Sequence, residues 1–494
     1  REGTITISGG AATQTITVKQ KGAQGILDAE RQALIDLYNA TGGDNWKNNE
    51  NWCSDKPVSE WYGVTCGNMV SNYGQVTSIY LDYNNLVGTI PESICNLTAL
   101  NRLCLRGNKL TAIPESIGGM STLKWLWLTS NALTGSIPEA ICNMTSLEQL
   151  CLEYNKLTGS IPEAIGNMTS LECLQLSSNQ LSGSIPASLG NLSKLSILRL
   201  DNNKLTGSIP ESFGNLTSLT ELEMHSNQLT GSIPEGFGNM GSLKRLVLYS
   251  NKLTGSIPES FGNMKSLQRL YLQNNQLTGS IPESVGGMES LKELDLQYNQ
   301  LTGSVPQGLA NCSQLYHIIL ANNGLSGSIP EAVTKTTWWS HYWGYIIPQD
   351  ASKGGGFEEE GLIIPAPQFS ETDVDGNTIT SAIYAENEYT ILFNFLTSCG
   401  YAKIFAPTLV EIYNTYKDRG VGIFSISCST TSEIKAFAQG NGFTWPIINT
   451  WDTPIRAFTS FELWSPIACV IDKNGMVVFN HLYNDYTELA DFFA

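Results

Sequence analysis

Asparagine recurs at Asn84, Asn108, Asn131, Asn155, Asn179, Asn203, Asn227, Asn251, Asn275, Asn299 and Asn323, each closing a phrase such as LEQLCLEYNKLTGSIPEAIGNMTS. The interval is 24 residues, then 23, then 24 throughout, the short one falling where Thr111-Ala112-Ile113-Pro114 lacks the glycine of TGSIP. A strict period of this length means about eleven stacked units, each too small to bury its apolar face alone. Alternation in LxxLxLxxN puts the leucines inward from a short strand and leaves the residues between them outward. Parallel strands stacked at about 4.8 Å per unit make an arc roughly 50 Å long with one extended concave face.

The asparagine amide can hydrogen-bond backbone groups where the chain leaves the strand, holding the bend that repetition requires. LTGSIP then offers Gly for a turn and Pro for a fixed extended segment, so the convex side is expected to be irregular rather than long helix. With its GxIP and GNLTSL phrases, the stretch from about 26 to 330 resembles the plant-type leucine-rich repeat. That likeness implies a solenoid carrying its ligand on the variable strand positions.

The ends of the stack need covers. GTITISGGAATQTITVKQKGA alternates apolar and polar residues around Gly-Gly, as a hairpin does. TQTITVKQKGA resembles the last strands of a BACON domain, which implies the remnant of a preceding domain and an exported protein of Bacteroidetes. The chain begins at Arg1, which reads as a mature or trimmed fragment. Asp28 to Tyr38 is predicted as an amphipathic helix burying Ala29, Ala33, Leu34, Leu37 and Tyr38 and stopped by Gly42-Gly43. ALIDLYNATGGDNWKNNENWCSDKPVSEWYGVTC resembles the N-terminal cap of plant-type repeat proteins, which implies a Cys53–Cys66 disulfide. Such a bridge would contribute around 3 kcal/mol and need an oxidising compartment.

The remaining cysteines of the 11 read as free thiols. Cys95 and Cys142, like Cys104 and Cys151, share a column but sit two units, about 10 Å, apart, beyond disulfide reach. Cys151 and Cys173 occupy adjacent units in different columns and are also expected to be too distant. Cys95 and Cys142 read as small core residues, and no metal-ligand spacing appears among the cysteines.

A net charge of -17 opposes binding to phosphate backbones and anionic membranes. No apolar run of eighteen residues encodes a transmembrane helix. Sequons such as Asn96, Asn167 and Asn215 follow from the repeat consensus and imply no glycosylation.

The outward middle column runs Tyr80, Cys104, Trp127, Cys151, Gln175, Arg199, Glu223, Val247, Tyr271, Asp295, Ile319. Flanking columns add Tyr83, Trp125 and Tyr154 early, then Glu221, His225, Arg245, Tyr249, Arg269 and Glu293. The face therefore divides into an aromatic N-terminal patch and a mixed-sign C-terminal half. Exposed Trp and Tyr anchor protein interfaces and stack on sugars. Tyr80, Trp125, Trp127, Tyr154, Arg199, Tyr249 and Tyr271 are the candidate contacts, for a polypeptide partner ahead of a glycan. Glu221, Glu223 and His225 beside Arg199 and Arg245 read as a solvated charge cluster rather than a cation site.

After Pro330, Trp338, Trp339, Tyr342, Trp343 and Tyr345 are expected to cap the solenoid, and Lys353-Gly-Gly-Gly356 with Glu358 to Glu360 reads as a hinge. Beyond it strands alternate with helices: Tyr389 to Phe395, a helix from Gly400 to Asp418, Val421 to Ser427, and a hairpin of Ile467 to Asp472 with Met476 to Phe479. IIPAPQFSETDVDGNTIT, YTILFNFLTSCGYAK and WSPIACVIDKNGMVVF resemble a thioredoxin-fold domain of the TlpA/ResA and AhpC/TSA-like group. The likeness places Cys399 at the nucleophile's position before a helix, where the dipole favours thiolate. Ala402 stands where a resolving cysteine belongs, Ser398 where Trp is usual, and Ser465-Pro466 on the cis-proline loop. With that second cysteine missing, ordinary dithiol reduction is expected to fail. Cys428, Cys469 or an external thiol remain as resolvers, and the peroxidase spacing is absent.

The expected order is a hairpin remnant (1–24), a cap (25–75), repeats (76–330), an aromatic cap and linker (331–356) and a thioredoxin-like domain (357–494), an α/β chain throughout. The expected function is partner binding by an exported, secreted or cell-envelope protein with no cofactor and no metal. The alternative is a thiol-disulfide oxidoreductase, monothiol or externally resolved, whose solenoid selects substrates.

Overall fold

Each LxLxxN phrase becomes a three-residue strand and a bend in the computed structural model, which describes residues 2–9, 12–19, 23–68, 73–337, 349, 356–357, 369–395, 397, 400–427, 429–449, 467–473 and 477–481. The chain packs as two units, Arg1–Thr254 and Gly255–Ala494. This division cuts the repeats, as a stack held by nearest-neighbour contacts permits at any repeat.

In Arg1–Thr254 the strands Arg102–Cys104, Trp125–Trp127, Gln149–Cys151, Cys173–Gln175, Ile197–Arg199, Glu221–Glu223 and Arg245–Val247 pair parallel, in the register of the repeat. Their central leucines, from Leu103 to Leu246, are buried, while the flanking positions form the concave face. Val76–Tyr80 pairs with Arg102–Cys104, and antiparallel Val64–Cys66 closes the edge.

The asparagines hold the bend as anticipated. The Asn179 amide donates to the Leu152, Leu176 and Ser177 carbonyls at 3.0, 3.1 and 3.2 Å and accepts the Leu157 N–H at 3.0 Å. The residue before each asparagine lies in the left-handed region, including Tyr83 (φ 55), Tyr154 (φ 56) and Asn202 (φ 53). On the convex side Pro starts short 3-10 turns such as Ala187–Asn191 and Glu211–Asn215, so long helix is absent from these repeats. Successive turns approach so closely that a Cβ on Gly190 would meet Ser212 Cβ at 2.5 Å.

The N-terminal residues form the predicted hairpin, Glu2–Gly9 against Ala12–Lys19. The first helix is longer than expected, Ala23–Ala40, and Gly42 stops it at φ 66. Ala33, Leu34 and Leu37 are buried, but Ala29 is exposed, Tyr38 is half-buried, and Glu30 takes the inward place. The helix phase turns Glu30 toward the first repeat, where it accepts the Val76 N–H at 2.8 Å; burial raises its carboxyl above the ordinary range. Trp52 packs against Trp46 in a T-shaped contact and against Trp61 in a tilted one, with Arg31 5.0 Å from the Trp61 ring centre.

The Cys53–Cys66 bridge is not formed, because the thiols occupy separate surroundings. Cys53 is exposed near Asp44 and Arg31, and Cys66 is half-buried near Glu30, with burial pushing it up to about 11.

In Gly255–Ala494 the strands Arg269–Tyr271, Glu293–Asp295 and His317–Ile319 continue the pattern. Gln349 ends this ladder: its amide accepts the Leu325 N–H and donates to the Leu320 carbonyl, both at 3.2 Å, taking the asparagine's role. Trp338 to Tyr345 lie outside the described residues.

The last domain holds a sheet ordered Ile447–Asn449, Val421–Ser427, Tyr389–Phe395, Ile467–Asp472, Val477–His481, the first three parallel and the last two antiparallel. The second hairpin strand is Val477–His481, and Met476 lies outside the described residues. Helix Gly400–Tyr416 buries Ala402, Phe405, Ala406 and Leu409 on a core with Phe393, Phe395 and Phe437. A helix absent from the sequence reading, Thr431–Asn441, starts on a Thr430/Glu433 capping box.

Candidate functional site

Two side chains on one strand, at i and i+2, must share a face. Trp125 and Trp127 do so, their rings stacked at 5.1 Å and 9° on the concave surface. Parallel register brings Arg102 beside Trp125, with its guanidinium 4.1 Å from the ring centre. Arg106 lies 4.4 Å from the Trp127 ring. Asp82 fixes Arg106 through a two-point contact at 3.0 and 2.7 Å, and Trp127 donates from Nε1 to Gln149 at 3.1 Å. Tyr80, whose hydroxyl accepts from Arg102 at 3.2 Å, and Tyr154, 61% exposed, flank this patch. The result is a pre-ordered sheet of cation and aromatic faces that loses little side-chain freedom on binding.

The columns read from sequence are therefore real neighbours, but Asp82, Arg102 and Arg106 were missed. Arg102 stands one repeat before Trp125, so aligning every outward column, not only the aromatic ones, exposes it.

Further along the same unit Arg199, Glu221, Glu223 and Arg245 interlock. Arg199 meets Glu221 at 2.7 Å, and Arg245 meets Glu223 at 2.8 Å. His225 stacks on Tyr249 at 4.2 Å, with Nε2 3.5 Å from Asp201 and 3.7 Å from Glu223. Burial disfavours ionisation of Glu223, but hydrogen bonds from His225 and Glu221 and the Arg245 guanidinium outweigh it and hold that carboxyl well below the usual range. Burial and the shared Glu221–Glu223 contact raise Glu221. The expected solvated cluster is thus a partly buried ion-pair network, with Asp201 its unanticipated member. Asp201, Glu223 and His225 have the donor types of a cation site, yet Arg245 occupies one Glu223 oxygen.

In the second unit Glu293 accepts from Arg269 at 2.9 Å and from the Tyr271 and Tyr316 hydroxyls. Burial opposes ionisation, but these donors bring the carboxyl down to about 2.

For the thiol site, Ala402 is buried in the first turn of Gly400–Tyr416. Thr397 donates from its N–H and hydroxyl to Ser429 Oγ at 3.1 and 2.8 Å, tying the segment before that helix to the end of Val421–Ser427. Cys469 lies in the strand opposite Leu392. Ser398, Cys399, Cys428, Ser465 and Pro466 lie outside the described residues.

Among the solenoid cysteines Cys95, Cys104, Cys142, Cys151, Cys173 and Cys312 are free thiols. Cys151 and Cys173 lie on adjacent strands two residues out of register and are free thiols, as expected from their different columns.

Residues 74–133 match the leucine rich repeat family, 150–253 the leucine-rich repeat region, 241–284 a two-copy leucine rich repeat family, and 290–312 a single leucine rich repeat. Residues 364–480 match the AhpC/TSA family. Among solved structures, the chain is similar to the repeat ectodomain of the membrane receptor kinase GASSHO1/SCHENGEN3 from Arabidopsis thaliana, in complex with CASPARIAN STRIP INTEGRITY FACTOR 2. Identity is 37%, over 61% of this chain and 36% of that one, with a TM-score of 0.59. The plant peptide hormone receptor RGFR1 in complex with RGF2 is 34% identical over 57% and 44% of the two chains, with a TM-score of 0.52. The Arabidopsis receptor kinase HAESA, in complex with the peptide hormone IDA and the co-receptor SERK1, is 31% identical over 62% and 55%, with a TM-score of 0.51. The chain thus spans between about a third and just over half of the length of these structures. Comparison with curated proteins returns no match. No helix among the described residues is long and apolar enough to cross a membrane.

Proposed function

For a chain that joins leucine-rich repeats to an AhpC/TSA-type thioredoxin-like domain, we propose that the concave face around Trp125 and Trp127 binds an extended polypeptide. The observation that carries this reading is the paired stacking of Arg102 on Trp125 and Arg106 on Trp127. Two flat aromatic faces, each already paired with a cation, suit aromatic or carboxylate side chains of a peptide. Tyr80 and Tyr154 extend the footprint across neighbouring repeats, and Arg199 and Tyr249 supply polar contacts further along. The similar peptide hormone receptor RGFR1, in complex with RGF2, and HAESA, in complex with the peptide hormone IDA, support the same class of ligand.

On this reading the protein is exported, secreted or held in the cell envelope, and the boundaries 1–24, 25–75, 76–330, 331–356 and 357–494 separate its parts. The thioredoxin-like domain offers Cys399 as its candidate nucleophile, in an incomplete Cys399-Gly-Tyr-Ala402 motif, with Pro466 the candidate cis-proline. It acts as a binding or monothiol module rather than a dithiol reductase. The alternative, an oxidoreductase served by a substrate-selecting solenoid, draws on the same cysteine.

The test is selection of peptides from a random library on the intact chain, followed by affinity measurement with Trp125→Ala and Trp127→Ala variants. Loss of about 2 kcal/mol or more, roughly 30-fold, is expected for an anchoring tryptophan. Unchanged affinity of every selected peptide sinks the proposal.

A further inference from the structure

Alternation along the chain sets Glu223 and His225 on the concave side with buried Met224 between them. The repeat period of 24 residues brings Asp201 beside His225 from the preceding unit. Backbone pairing agrees, since Arg199 lies opposite Glu223 and the Asn202 N–H donates to the His225 carbonyl at 3.0 Å. Three donors therefore converge. Asp201 Oδ2 is 3.5 Å and Glu223 Oε2 3.7 Å from His225 Nε2, and one ligand atom of each residue lies within 4.8 Å of the others.

Direct contact does not satisfy this cluster. Asp201 and Glu223 are 7% and 8% exposed, and carboxylates so far from water need close partners or an ion. Both gaps to Nε2 exceed the roughly 2.7–3.2 Å of a well-formed N–H···O bond, and a single Nε2 proton can serve only one of two carboxylates. Donors bound at about 2.0–2.1 Å to one tetrahedral ion lie about 3.4 Å from each other. The two gaps, 3.5 and 3.7 Å, are within a few tenths of an ångström of that spacing.

We propose that Asp201, Glu223 and His225 hold a divalent metal ion of the zinc type, with the fourth tetrahedral position open on the concave face. One imidazole and two carboxylates suit such an ion. Each ligand is oriented through an atom the ion does not use, as supporting contacts of metal sites do. Ser177 donates to Asp201 Oδ1, Arg245 donates to Glu223 Oε1 at 2.8 Å, and His225 Nδ1 lies 3.2 Å from Ser226 Oγ. Stacking on Tyr249 at 4.2 Å and 12° fixes the plane of the imidazole. Asn202 also donates to Asp201 Oδ2 at 2.8 Å, which uses one of that oxygen's two lone pairs and leaves the other. The neighbouring guanidiniums do not exclude a cation. Glu221 meets Arg199 at 2.7 Å and Arg245 at 3.8 Å, so with Asp201 and Glu223 three carboxylates face two arginines.

The experiment titrates the full chain, kept reduced and stripped of metal by a chelator, with Zn²⁺ followed by calorimetry and with Co²⁺ followed by visible absorption. Wild type is expected to take one equivalent with the visible bands of a tetrahedral Co²⁺ site and without the near-ultraviolet charge transfer that thiolate ligands give. Asp201→Asn and His225→Gln should each weaken that equivalent by at least about tenfold, since loss of a mere outer-shell partner already costs that much. Glu293→Gln, which removes another ion-paired carboxylate, should leave it unchanged. Circular dichroism and thermal midpoints establish that the variants are folded. Absence of the equivalent in wild type overturns the proposal, as does equal binding by wild type and the Asp201→Asn or His225→Gln variant. So does an equal loss in Glu293→Gln, which would make binding a matter of general charge, or a Co²⁺ spectrum dominated by thiolate bands, which would assign the ion to the cysteines.

Discussion

Asn203 accepts the Leu181 N–H at 2.9 Å across one repeat boundary while donating to the Leu176, Leu200 and Asp201 carbonyls at 3.0, 3.1 and 3.2 Å. One amide therefore satisfies backbone groups of two successive bends, in a buried place where water cannot substitute. Asn203→Ala leaves these groups unpaired and should destabilise the solenoid by about 3 kcal/mol, read as a shift in the denaturant midpoint. A change below about 0.5 kcal/mol would show that the bend holds itself.

Tyr154 sits at φ 56, a region that costs a bulky residue of order 1 kcal/mol, whereas Asn202, Asn274 and Asn322 occupy the corresponding place at φ 53, 55 and 58. Tyr154→Asn should raise stability by about 0.5–1 kcal/mol in thermal unfolding. If the exposed ring serves a peptide ligand, the same variant should bind selected peptides more weakly. A gain in stability with no loss of binding removes Tyr154 from the proposed footprint.

The repeat was legible because one residue type does one backbone job at a fixed interval, and the outward columns followed from strand alternation. What escaped were relations that depend on side-chain reach. Arg102 and Arg106 are ordinary surface arginines until the register lays them over Trp125 and Trp127. In helix Ala23–Ala40 a small phase difference exchanges Ala29 for Glu30 inward, and hydrogen bonds to Val76 and Gln75 compensate the buried carboxylate. Thr431–Asn441 was overlooked because its apolar stripe is thin, although Thr430 and Glu433 carried the capping signal.

Asp295 is buried, and burial raises its carboxyl from 3.8 to about 6 despite hydrogen bonds from the Gln297 backbone and amide. The folded chain holds this proton more tightly than the unfolded chain. Its contribution to stability is therefore fully present below 3.8 and is lost as pH rises through about 6. The shift corresponds to about 3 kcal/mol. Asp295→Asn should be more stable than wild type at neutral pH and lose that advantage in acid. A wild-type-to-variant difference that does not vary with pH contradicts the assignment.

The last prediction concerns the missing resolving thiol. Ala402 stands three residues after Cys399, fully buried in the first turn of Gly400–Tyr416 among Phe395, Phe405 and their neighbours. Ala402→Cys adds one sulfur to that core, at an overpacking cost of about 1–3 kcal/mol that a cooperative domain can absorb. It restores the spacing at which a second thiol attacks a mixed disulfide on Cys399 and releases the reduced substrate, leaving an intramolecular disulfide. If the domain retains redox geometry, the variant should gain turnover on a small aromatic disulfide in the presence of excess dithiol, and a Cys399→Ser, Ala402→Cys double variant should not. With no dithiol added, wild type should stall as a mixed disulfide, visible by intact mass. Failure of the Ala402→Cys variant to turn over, while folded and with Cys399 alkylated at an ordinary rate, would mean that the fold has been kept for binding, and that the chemistry was lost at more positions than this one.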